Sequence, residues 1–378
     1  MPGTPGVHSR AAVANGAAGT ARPPSPARRA YIDWMRGLAV VIMILWHVMD
    51  AWTRREDRST RAFGLIHIVG GMAAPLFMFL AGVSVALAAG GRHRKTGDLA
   101  GASAAVRRRG WQILGFALLF RLQAFLLSPG ATLQGLLRVD VLNVMGPSMV
   151  VAAAAWGLSA RRQVRLTVLV VLACACALAT APVRAAGWLG WLPDPIEWYL
   201  RPPAGRSWFA LFPWTGMLLA GTAVGVLLDE AREEAAERRV NAWLLGGGAA
   251  FAALTLAGLS LPAFPGSRHF WGTPNYFFLR VPVMVAILGA CYFVMRRWPP
   301  TPASGMLEFG HSSLFVYWIH VELAYGMLSY PLHRALPVGW AFAGYVAFTL
   351  AMLRLARFKT RKVAKWKAQR RAAAPSPA

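Results

Sequence analysis

The chain enters its first long apolar stretch with IDWMRGLAVVIMILWHVMD, residues 32–50. Every residue between Arg36 and His47 is apolar or glycine, and no proline interrupts the run. A helix of about 20 apolar residues spans a bilayer, because each residue adds about 1.5 Å to a hydrocarbon core roughly 30 Å thick. The stretch therefore predicts a membrane-spanning helix, which we place at residues 36–53.

Nine further apolar stretches follow, separated by short segments rich in proline, glycine or charge. They lie at residues 63–89, 110–127, 140–158, 165–182, 209–228, 241–259, 278–295, 307–328 and 337–355. The sequence therefore predicts an all-α, polytopic membrane protein with about ten transmembrane helices. We expect residues 30–355 to form one transmembrane domain, with a disordered basic arm at 1–29 and a basic cytoplasmic tail at 356–378.

The composition disfavours the soluble classes. Of 378 residues, 56% are hydrophobic and only 15% are Asp, Glu, Lys or Arg, compared with roughly 25% charged residues in a soluble domain. Such a chain is neither disordered nor collagen-like. Its three cysteines, Cys174, Cys176 and Cys291, lie in apolar runs without the spacing of a disulfide framework or a zinc site. We expect no bound metal.

The basic residues predict the orientation of the chain. Lys and Arg outnumber Asp and Glu by 40 to 15, which gives a formal net charge of +25. They concentrate in alternate loops and in the tail, and in a ten-span chain these segments share one side with both termini. The positive-inside rule assigns that side to the cytoplasm, so we expect a multi-pass protein of the cell (inner) membrane. Topology and contact with anionic membrane lipid explain the charge, and no nucleic-acid partner is expected.

Four ionisable residues share one face of the first predicted helix. Arg36 and His47 are eleven residues apart, which is close to three turns and about 16 Å of helix. Asp33 precedes Arg36 by three residues, and Asp50 follows His47 by three. Ionisable groups inside a bilayer are costly and therefore mark functional sites. The structural alternative is an interfacial Asp33–Arg36 ion pair and a helix end capped by His47 and Asp50.

Imidazole is the side chain best suited to general-base chemistry at neutral pH, and a neighbouring carboxylate fixes its tautomer and raises its basicity. We therefore predict that His47 is a catalytic base and that Asp50 orients it.

A second polar stripe lies in the ninth predicted span, where Ser313, Tyr317 and His320 share a helix face. We predict that His320 and Glu322 contact an acceptor substrate near the outer mouth. Hydrogen bonding between packed helices is the alternative. Asp140, at the start of the fourth span, is instead typical of a helix N-terminus.

Six segments, in order, resemble the heparan-α-glucosaminide N-acetyltransferase family and its bacterial relatives. They are RAYIDWMRGLAVVIM at 29–43, APLFMFLAGVS at 74–84, DVLNVMG at 140–146, FPW at 212–214, PNYFFL at 274–279 and GHSSLFVYWIH at 310–320. The spacing of Arg36 and His47 is similar to that in the wider acyltransferase type 3 group. The resemblance extends over residues 29–355.

The resemblance implies an integral-membrane acyltransferase. Such an enzyme takes an acyl group, expected to be acetyl, from acyl-CoA at the cytoplasmic face and passes it to a carbohydrate-like acceptor on the other face. The residues implied to hold the coenzyme are Asp33, Arg36, Arg107, Arg108 and Arg109. His47 is implied to act on the acceptor.

One position departs from the family pattern. In the animal members the working histidine lies in the loop after the first helix, where His67 is the nearest candidate here, but its spacing to Pro75 does not match. We favour His47 and place His67 in the acceptor site as the alternative catalytic histidine. Direct transfer and an acyl-histidine intermediate both fit the sequence.

Two other classes of function are open at this stage. One is a multi-helix transporter of a small polar or anionic substrate, in which Arg36 and His47 would line a substrate path or relay protons. The other is a non-catalytic scaffold, which leaves both residues unexplained. The sequence also leaves homo-oligomer formation open.

Overall fold

The computed structural model describes residues 29–127, 132–202, 207, 209–259, 273–301 and 304–372. Within these ranges the chain is all-helical and has no strand, apart from an isolated β-bridge between Thr53 and Leu336. The prediction of an all-α fold is confirmed there. Residues 1–28 of the predicted arm and residues 373–378 of the predicted tail lie outside the described residues.

Fourteen α-helices are found in the described ranges. Their bounds are Ala30–Trp52 (α1), Arg61–Gly70 (α2), Ala73–Thr96 (α3), Leu99–Leu127 (α4), Leu133–Leu136 (α5), Val141–Gly157 (α6), Arg162–Ala185 (α7), Asp194–Leu200 (α8), Leu211–Glu230 (α9), Glu234–Leu259 (α10), Pro274–Arg297 (α11), Gly305–His311 (α12), Ser313–Tyr325 (α13) and Val338–Ala372 (α14). Short 3₁₀ helices occur in the connections at Glu56–Ser59, Gly187–Trp191 and Met327–Leu332.

Eight helical segments of the described chain are long and apolar enough to cross a membrane. They are Ala30–Trp52, Arg61–Thr96, Leu133–Gly157, Arg162–Ala185, Leu211–Glu230, Glu234–Gly258, Pro274–Arg297 and Val338–Lys367. The span predicted at 110–127 lies in α4, which is not among the eight. The span predicted at 307–328 is divided into α12 and α13, because Ser312 leaves the helical conformation in a run of residues with low helix propensity. A multi-pass membrane protein is therefore supported, and the count of ten and the side of the termini stay predictions.

Helix α1 lies in the interior of the bundle. It contacts α3, α11, α12, α13 and α14, whereas α7, α10 and α14 expose most of their apolar surface. Met35, Ile44 and Met49 of α1 are fully buried. Helix α1 therefore packs mainly against other helices of the same chain.

Two glycines bring α12 against the first half of α1. A Cβ at Gly37 would overlap the backbone of Met306, and a Cβ at Gly310 would overlap the backbone of Asp33. The two helices can approach this closely because glycine has no side chain. The contact therefore places the helix break at Ser312, and with it the first turn of α13, beside α1.

Backbone hydrogen bonds hold the other end of α1. The Leu336 amide donates to the Trp52 carbonyl over 3.0 Å, and the Arg54 amide donates to the Leu336 carbonyl over 2.9 Å. The Arg334 amide donates to the carbonyl of Ala51 over 2.9 Å. The segment between α13 and α14 is thus joined to the C-terminal end of α1, so α13 runs beside α1 from one fixed end to the other.

Candidate functional site

A cluster of opposite charges lies at the N-terminal end of α1. Arg36 Nη1 donates to Asp33 Oδ1 over 2.6 Å, and Nη2 donates to Ser84 Oγ on α3 over 3.0 Å. His311 Nε2, at the end of α12, lies 3.4 Å from the second oxygen of Asp33. The Asp33 side chain is 6% exposed and the Arg36 side chain 21%. We call these four residues the Asp33–Arg36 cluster.

This cluster contains the ion pair that the sequence offered as the structural alternative. The carboxylate is buried, so its pairing with the guanidinium offsets part of the desolvation penalty of both groups. The guanidinium still reaches the protein surface, and the carboxylate and the Ser84 hydroxyl hold it in one orientation. Such a fixed guanidinium can bind an anion that approaches from the N-terminal end of α1.

Two histidines meet at the other end of α1. His47 Nδ1 and His320 Nε2 are 2.8 Å apart, and His320 Nδ1 lies 2.8 Å from the carbonyl oxygen of Val316 on its own helix. His320 is fully buried, whereas His47 is partly exposed. Their rings are tilted by 42° with centroids 4.9 Å apart.

The hydrogen bonds define the tautomers of both rings. A carbonyl oxygen can only accept, so His320 Nδ1 carries a hydrogen, and Nε2 of the neutral ring has a lone pair. His47 Nδ1 must then donate to His320 Nε2. In the neutral His47 ring this leaves Nε2 without a hydrogen, and that nitrogen can accept a proton from a substrate.

Asp50 has other partners than the one that the sequence predicted. Its carboxylate accepts from the Tyr325 hydroxyl over 2.9 Å and from Arg58 Nη1 over 3.3 Å, and Arg58 Nη2 donates to its backbone carbonyl. These hydrogen bonds form because His47 turns toward α13 while Asp50, one turn later, meets charged and phenolic donors. The predicted role of Asp50 in orienting His47 stays a prediction. We call His47, Asp50, Arg58, His320 and Tyr325 the His47–His320 cluster.

The two clusters occupy opposite ends of one polar face of α1. Eleven residues separate Arg36 from His47, which corresponds to about 16 Å along the helix axis. In each cluster a residue of α1 is bonded across to the α12–α13 pair, His311 in one case and His320 in the other. The site therefore needs both the close contact of α12 with α1 and the helix break at Ser312.

The three consecutive arginines of α4 lie apart from these contacts. Arg107, Arg108 and Arg109 are exposed. Arg109 Nη1 donates to Gln112 Oε1 of the same helix over 3.2 Å. Their predicted role in coenzyme binding stays a prediction, since the structure does not join them to the Asp33–Arg36 cluster.

The two other residues predicted to bind the acceptor are also outside the histidine pair. His67 is exposed on α2 and packs edge-on against Trp46, with ring centroids 4.8 Å apart. Glu322 is partly exposed on α13 and makes no hydrogen bond or ion pair with the residues that the structure describes. Their roles stay predictions.

The interpretation of Asp140 as a helix N-terminal residue is confirmed. Its Oδ1 accepts from the backbone amides of Leu142 and Asn143 over 3.0 and 3.2 Å, and the Asn143 side chain accepts from the Asp140 amide over 3.2 Å. This is a capping box at the start of α6. Arg121 Nη2 of α4 lies 2.9 Å from the other carboxylate oxygen.

Sequence reasoning missed four members of the two clusters. Ser84 is the last residue of the segment at 74–84, and its hydroxyl at the end of an apolar run was its signal. Arg58 and Tyr325 carried no signal, because loops and long-range packing bring them to Asp50. His311 lies outside the stripe of Ser313, Tyr317 and His320, and the structure places it at the opposite end of α1.

The described residues include no group of three or more His, Cys, Asp and Glu side chains that could hold a metal ion. The side chains of the two clusters are suited to anion binding, by an oriented guanidinium, and to proton transfer, at an oriented imidazole.

Comparison with known proteins agrees with this pattern. Residues 28–264 match the family described as heparan-alpha-glucosaminide N-acetyltransferase, catalytic. A search of curated proteins found no match. The matched region contains α1 to α10, and with them Arg36, His47 and Ser84. Because the match covers more than half of the chain, and as the sequence segments predicted, the protein belongs to the heparan-α-glucosaminide N-acetyltransferase family.

Proposed function

We propose that this protein transfers an acetyl group from acetyl-CoA at the cytoplasmic face of a membrane to a carbohydrate-like acceptor on the opposite face. Membership of an acetyltransferase family whose donor is acetyl-CoA supports the reaction type. The observation that carries the proposal is the His47–His320 pair. Its hydrogen bonds present His47 Nε2 as a proton acceptor inside a bundle of apolar helices.

The donor would lie along the polar face of α1. Acetyl-CoA consists of a nucleotide and a thioester joined by a long flexible arm, so its two ends can reach both clusters. The guanidinium of Arg36, held by Asp33, matches the geometry of a phosphate group. Arg107, Arg108 and Arg109 would add positive charge for the nucleotide. The thioester would then lie near His47, about 16 Å along α1.

In the proposed reaction His47 acts as a general base. His47 Nε2 takes the proton of an acceptor amine or hydroxyl while the acceptor nitrogen or oxygen attacks the thioester carbonyl. The new bond to the acetyl carbon forms, the carbon–sulfur bond breaks, and the coenzyme leaves as a thiolate. The thiolate recovers the proton from the His47 imidazolium, which returns the site to its starting state.

The remaining residues have positioning roles in this scheme. His320 fixes the His47 tautomer through the 2.8 Å hydrogen bond between the rings. Asp50, held by Arg58 and Tyr325, supplies a negative charge that stabilises the imidazolium formed during transfer. We propose His67 and Glu322 as contacts of the acceptor, because both side chains are accessible.

The orientation of the enzyme is part of the proposal. Placing both termini in the cytoplasm puts the Asp33–Arg36 cluster at the cytoplasmic end of α1 and the His47–His320 cluster at the outer end. A cysteine-free variant with a Cys at Leu328, which is 84% exposed between α13 and α14, should react with an impermeant maleimide on intact cells. A Cys at Ala235, before α10, should not. The reverse pattern of labelling would overturn the direction of transfer.

Activity is tested with the full chain in proteoliposomes. Radiolabelled acetyl-CoA is supplied with a free hexosamine as the probe acceptor, and labelled acetyl-hexosamine is measured by chromatography. We expect label on the sugar with wild type and with His333→Ala, a matched loss of a histidine outside both clusters, and none with His47→Ala. A transporter would leave the thioester intact, so uptake of label without its transfer to the sugar would favour the transporter.

A further inference from the structure

A cleft of about 350 Å³ lies between α4, α13 and α14. Its walls include Phe116, Leu314, Phe315, Trp318 and Ile319. Ser312, Lys359 and His311 of the Asp33–Arg36 cluster also line it, at the end next to the helix break. From Ser312 to Ile319 is seven residues, or about 10 Å of helix. The cleft is therefore an apolar slot with a polar end beside the helix break.

The cleft adjoins the outer surface of the bundle. Phe116 is 39% exposed, and its neighbours Leu118, Leu119 and Leu122 are 54%, 51% and 42% exposed. An apolar surface of this kind is expected to face lipid chains if the span predicted at residues 110–127 crosses the membrane. A lipid chain can thus enter the slot sideways without crossing the protein.

A positive charge stands at the polar end. Lys359 Nζ donates to Ser312 Oγ over 3.4 Å and lies 5.5 Å from the centre of the Phe315 ring. Among the described residues no carboxylate is within ion-pair distance of Lys359. The acid nearest to it along this contact, Glu308, accepts from Thr360 over 2.6 Å and from Ser312 over 3.3 Å. Within the described part of the chain, the ammonium group therefore makes no direct ion pair.

The sequence around Lys359 also favours an anionic membrane surface. Helix α14 continues past its apolar part with basic residues on successive turns. They include Arg357, Arg361, Lys362 and Lys365. A cluster of this kind directly after a membrane-spanning segment attracts anionic lipid headgroups.

We propose that the cleft binds one acyl chain of an anionic phospholipid, whose phosphate pairs with Lys359. The amide-rich arm of a coenzyme fits less well, because its polar groups would face Phe315, Trp318 and Ile319 without hydrogen-bond partners. The bound chain packs against the side of α13 that carries Trp318, which itself donates to Gln123 Oε1 of α4 over 2.7 Å. The lipid thereby braces the helix that presents His320. The proposal does not depend on the reaction proposed above.

The test measures lipid binding directly. The purified full chain in detergent is titrated with phosphatidylglycerol that carries a photoreactive acyl chain, and the labelled peptides are identified by mass spectrometry. Phosphatidylcholine with the same chain is the comparison lipid. We expect phosphatidylglycerol to label the peptide that contains Phe315 to Ile319 at lower concentration than phosphatidylcholine does.

Variants of Lys359 sharpen the test. In Lys359→Ala the half-saturating phosphatidylglycerol concentration should rise about five-fold, which corresponds to the roughly 1 kcal/mol that a basic residue contributes near an anionic membrane surface. Lys359→Arg should retain the wild-type value because it keeps the charge. Lys362→Ala removes an equal charge one turn away, outside the cleft, and should raise the half-saturating concentration less than Lys359→Ala does.

Three results would overturn the proposal. The first is equal labelling by the two lipids, and the second is an equal effect of Lys359→Ala and Lys362→Ala. The third is competitive displacement of the photoreactive lipid by acetyl-CoA together with weaker acetyl-CoA binding in Lys359→Ala, since this would assign the cleft to the acyl donor.

Discussion

The two ends of α1 are built alike and differ in charge. At each end a side chain of α1 is bonded to the α12–α13 pair, through His311 at one end and His320 at the other. The Asp33–Arg36 end contains a buried carboxylate beside a guanidinium. The guanidinium stays protonated and therefore cannot act as a base. The His47–His320 end contains two imidazoles, a side chain that can both accept and release a proton. We infer that the first end binds and the second end reacts.

Because one end of α1 holds an ion pair and the other a pair of histidines, we expect mutations at the two ends to have different effects. Removal of one partner from a buried ion pair destabilises a protein by about 3–5 kcal/mol, because the other charge stays buried and unpaired. Loss of a neutral hydrogen bond in a buried site costs about 1–3 kcal/mol. Changes at Arg36 should therefore affect folding and binding, whereas changes at His47 should affect the chemical step with less effect on stability.

The largest effect is expected from His47→Ala. Loss of a general base lowers turnover by about 10²-fold to 10⁴-fold, while acetyl-CoA affinity should stay close to that of wild type because Arg36 is about 16 Å away. Transfer of radiolabelled acetyl groups and calorimetric binding of CoA measure the two quantities. His67→Ala is the comparison variant. If it abolished transfer and His47→Ala did not, the catalytic assignment would move to His67.

Replacement of His320 tests whether the second ring positions the first. His320→Leu removes the acceptor for His47 Nδ1 and should lower turnover by about 10-fold to 100-fold, the range seen when an orienting partner of a functional histidine is lost. His320→Gln places an amide oxygen near the same nitrogen and should recover part of the rate. Steady-state kinetics give kcat and KM for each variant.

A readout beyond the rate is needed for His320. If it orients His47, the pH dependence of kcat should differ between His320→Gln and His320→Leu, since one offers His47 a hydrogen-bond acceptor and the other does not. A packing role alone would lower the amount of folded protein and leave the shape of the pH profile unchanged. That outcome would remove His320 from the proposed site.

The other end of α1 should show a binding effect of smaller size. Arg36→Ala is expected to weaken CoA binding about ten-fold, within the range for a charged hydrogen bond, and added salt should weaken wild-type binding in the same direction. Arg36→Lys should recover part of the affinity because it keeps the charge and loses the bidentate fork. Calorimetry in detergent measures each affinity.

The ion pair makes Arg36→Ala ambiguous by itself, because the variant also leaves Asp33 buried without its guanidinium. The double variant Asp33→Asn/Arg36→Ala removes both charges and should recover much of the thermal stability. It should not recover CoA affinity. Recovery of both would show that Arg36 contributes to the fold alone and does not bind the donor.

The difference between the two ends also separates what the sequence could predict from what it could not. Apolar length predicted the helical class and most spans, and helix periodicity put Asp33, Arg36, His47 and Asp50 on one face. Such predictions depend on contacts within a few turns. The Asp33–Arg36 pair is of this local kind, with partners three residues apart on one helix.

The partner of His47 could not be predicted in the same way. His320 is 273 residues away along the chain, and its position depends on the helix break at Ser312, which turned one predicted span into two helices. Asp50 was the local candidate for the partner of His47. Its carboxylate instead accepts hydrogen bonds from Arg58, in the loop after α1, and from Tyr325, at the end of α13. Only three-dimensional packing decides between such competing donors.

The smallest effect is expected from a change at Asp57, which links the C-terminal end of α1 to the start of α14. Asp57, between α1 and α2, accepts from the Val338 amide at the start of α14 over 2.9 Å and from Arg54 Nε over 3.0 Å. The backbone hydrogen bond from Val338, with help from Arg54, holds the pKa of this carboxyl below its ordinary value of 3.8. A carboxyl whose pKa falls on folding stabilises the folded state above its ordinary pKa, and this stabilisation is lost as the pH falls through the lower value.

Asp57→Asn should therefore lower the Tm slightly at pH 7, and the difference from wild type should shrink as the pH falls below 3.8. Glu56→Gln removes a charge from the same 3₁₀ helix and is the matched control. Transfer activity at pH 7 should change by less than about two-fold, as for most surface substitutions. Thermal unfolding in detergent between pH 3 and pH 7 measures the effect. A Tm difference that stays constant over this range would show that Asp57 does not act through its charge.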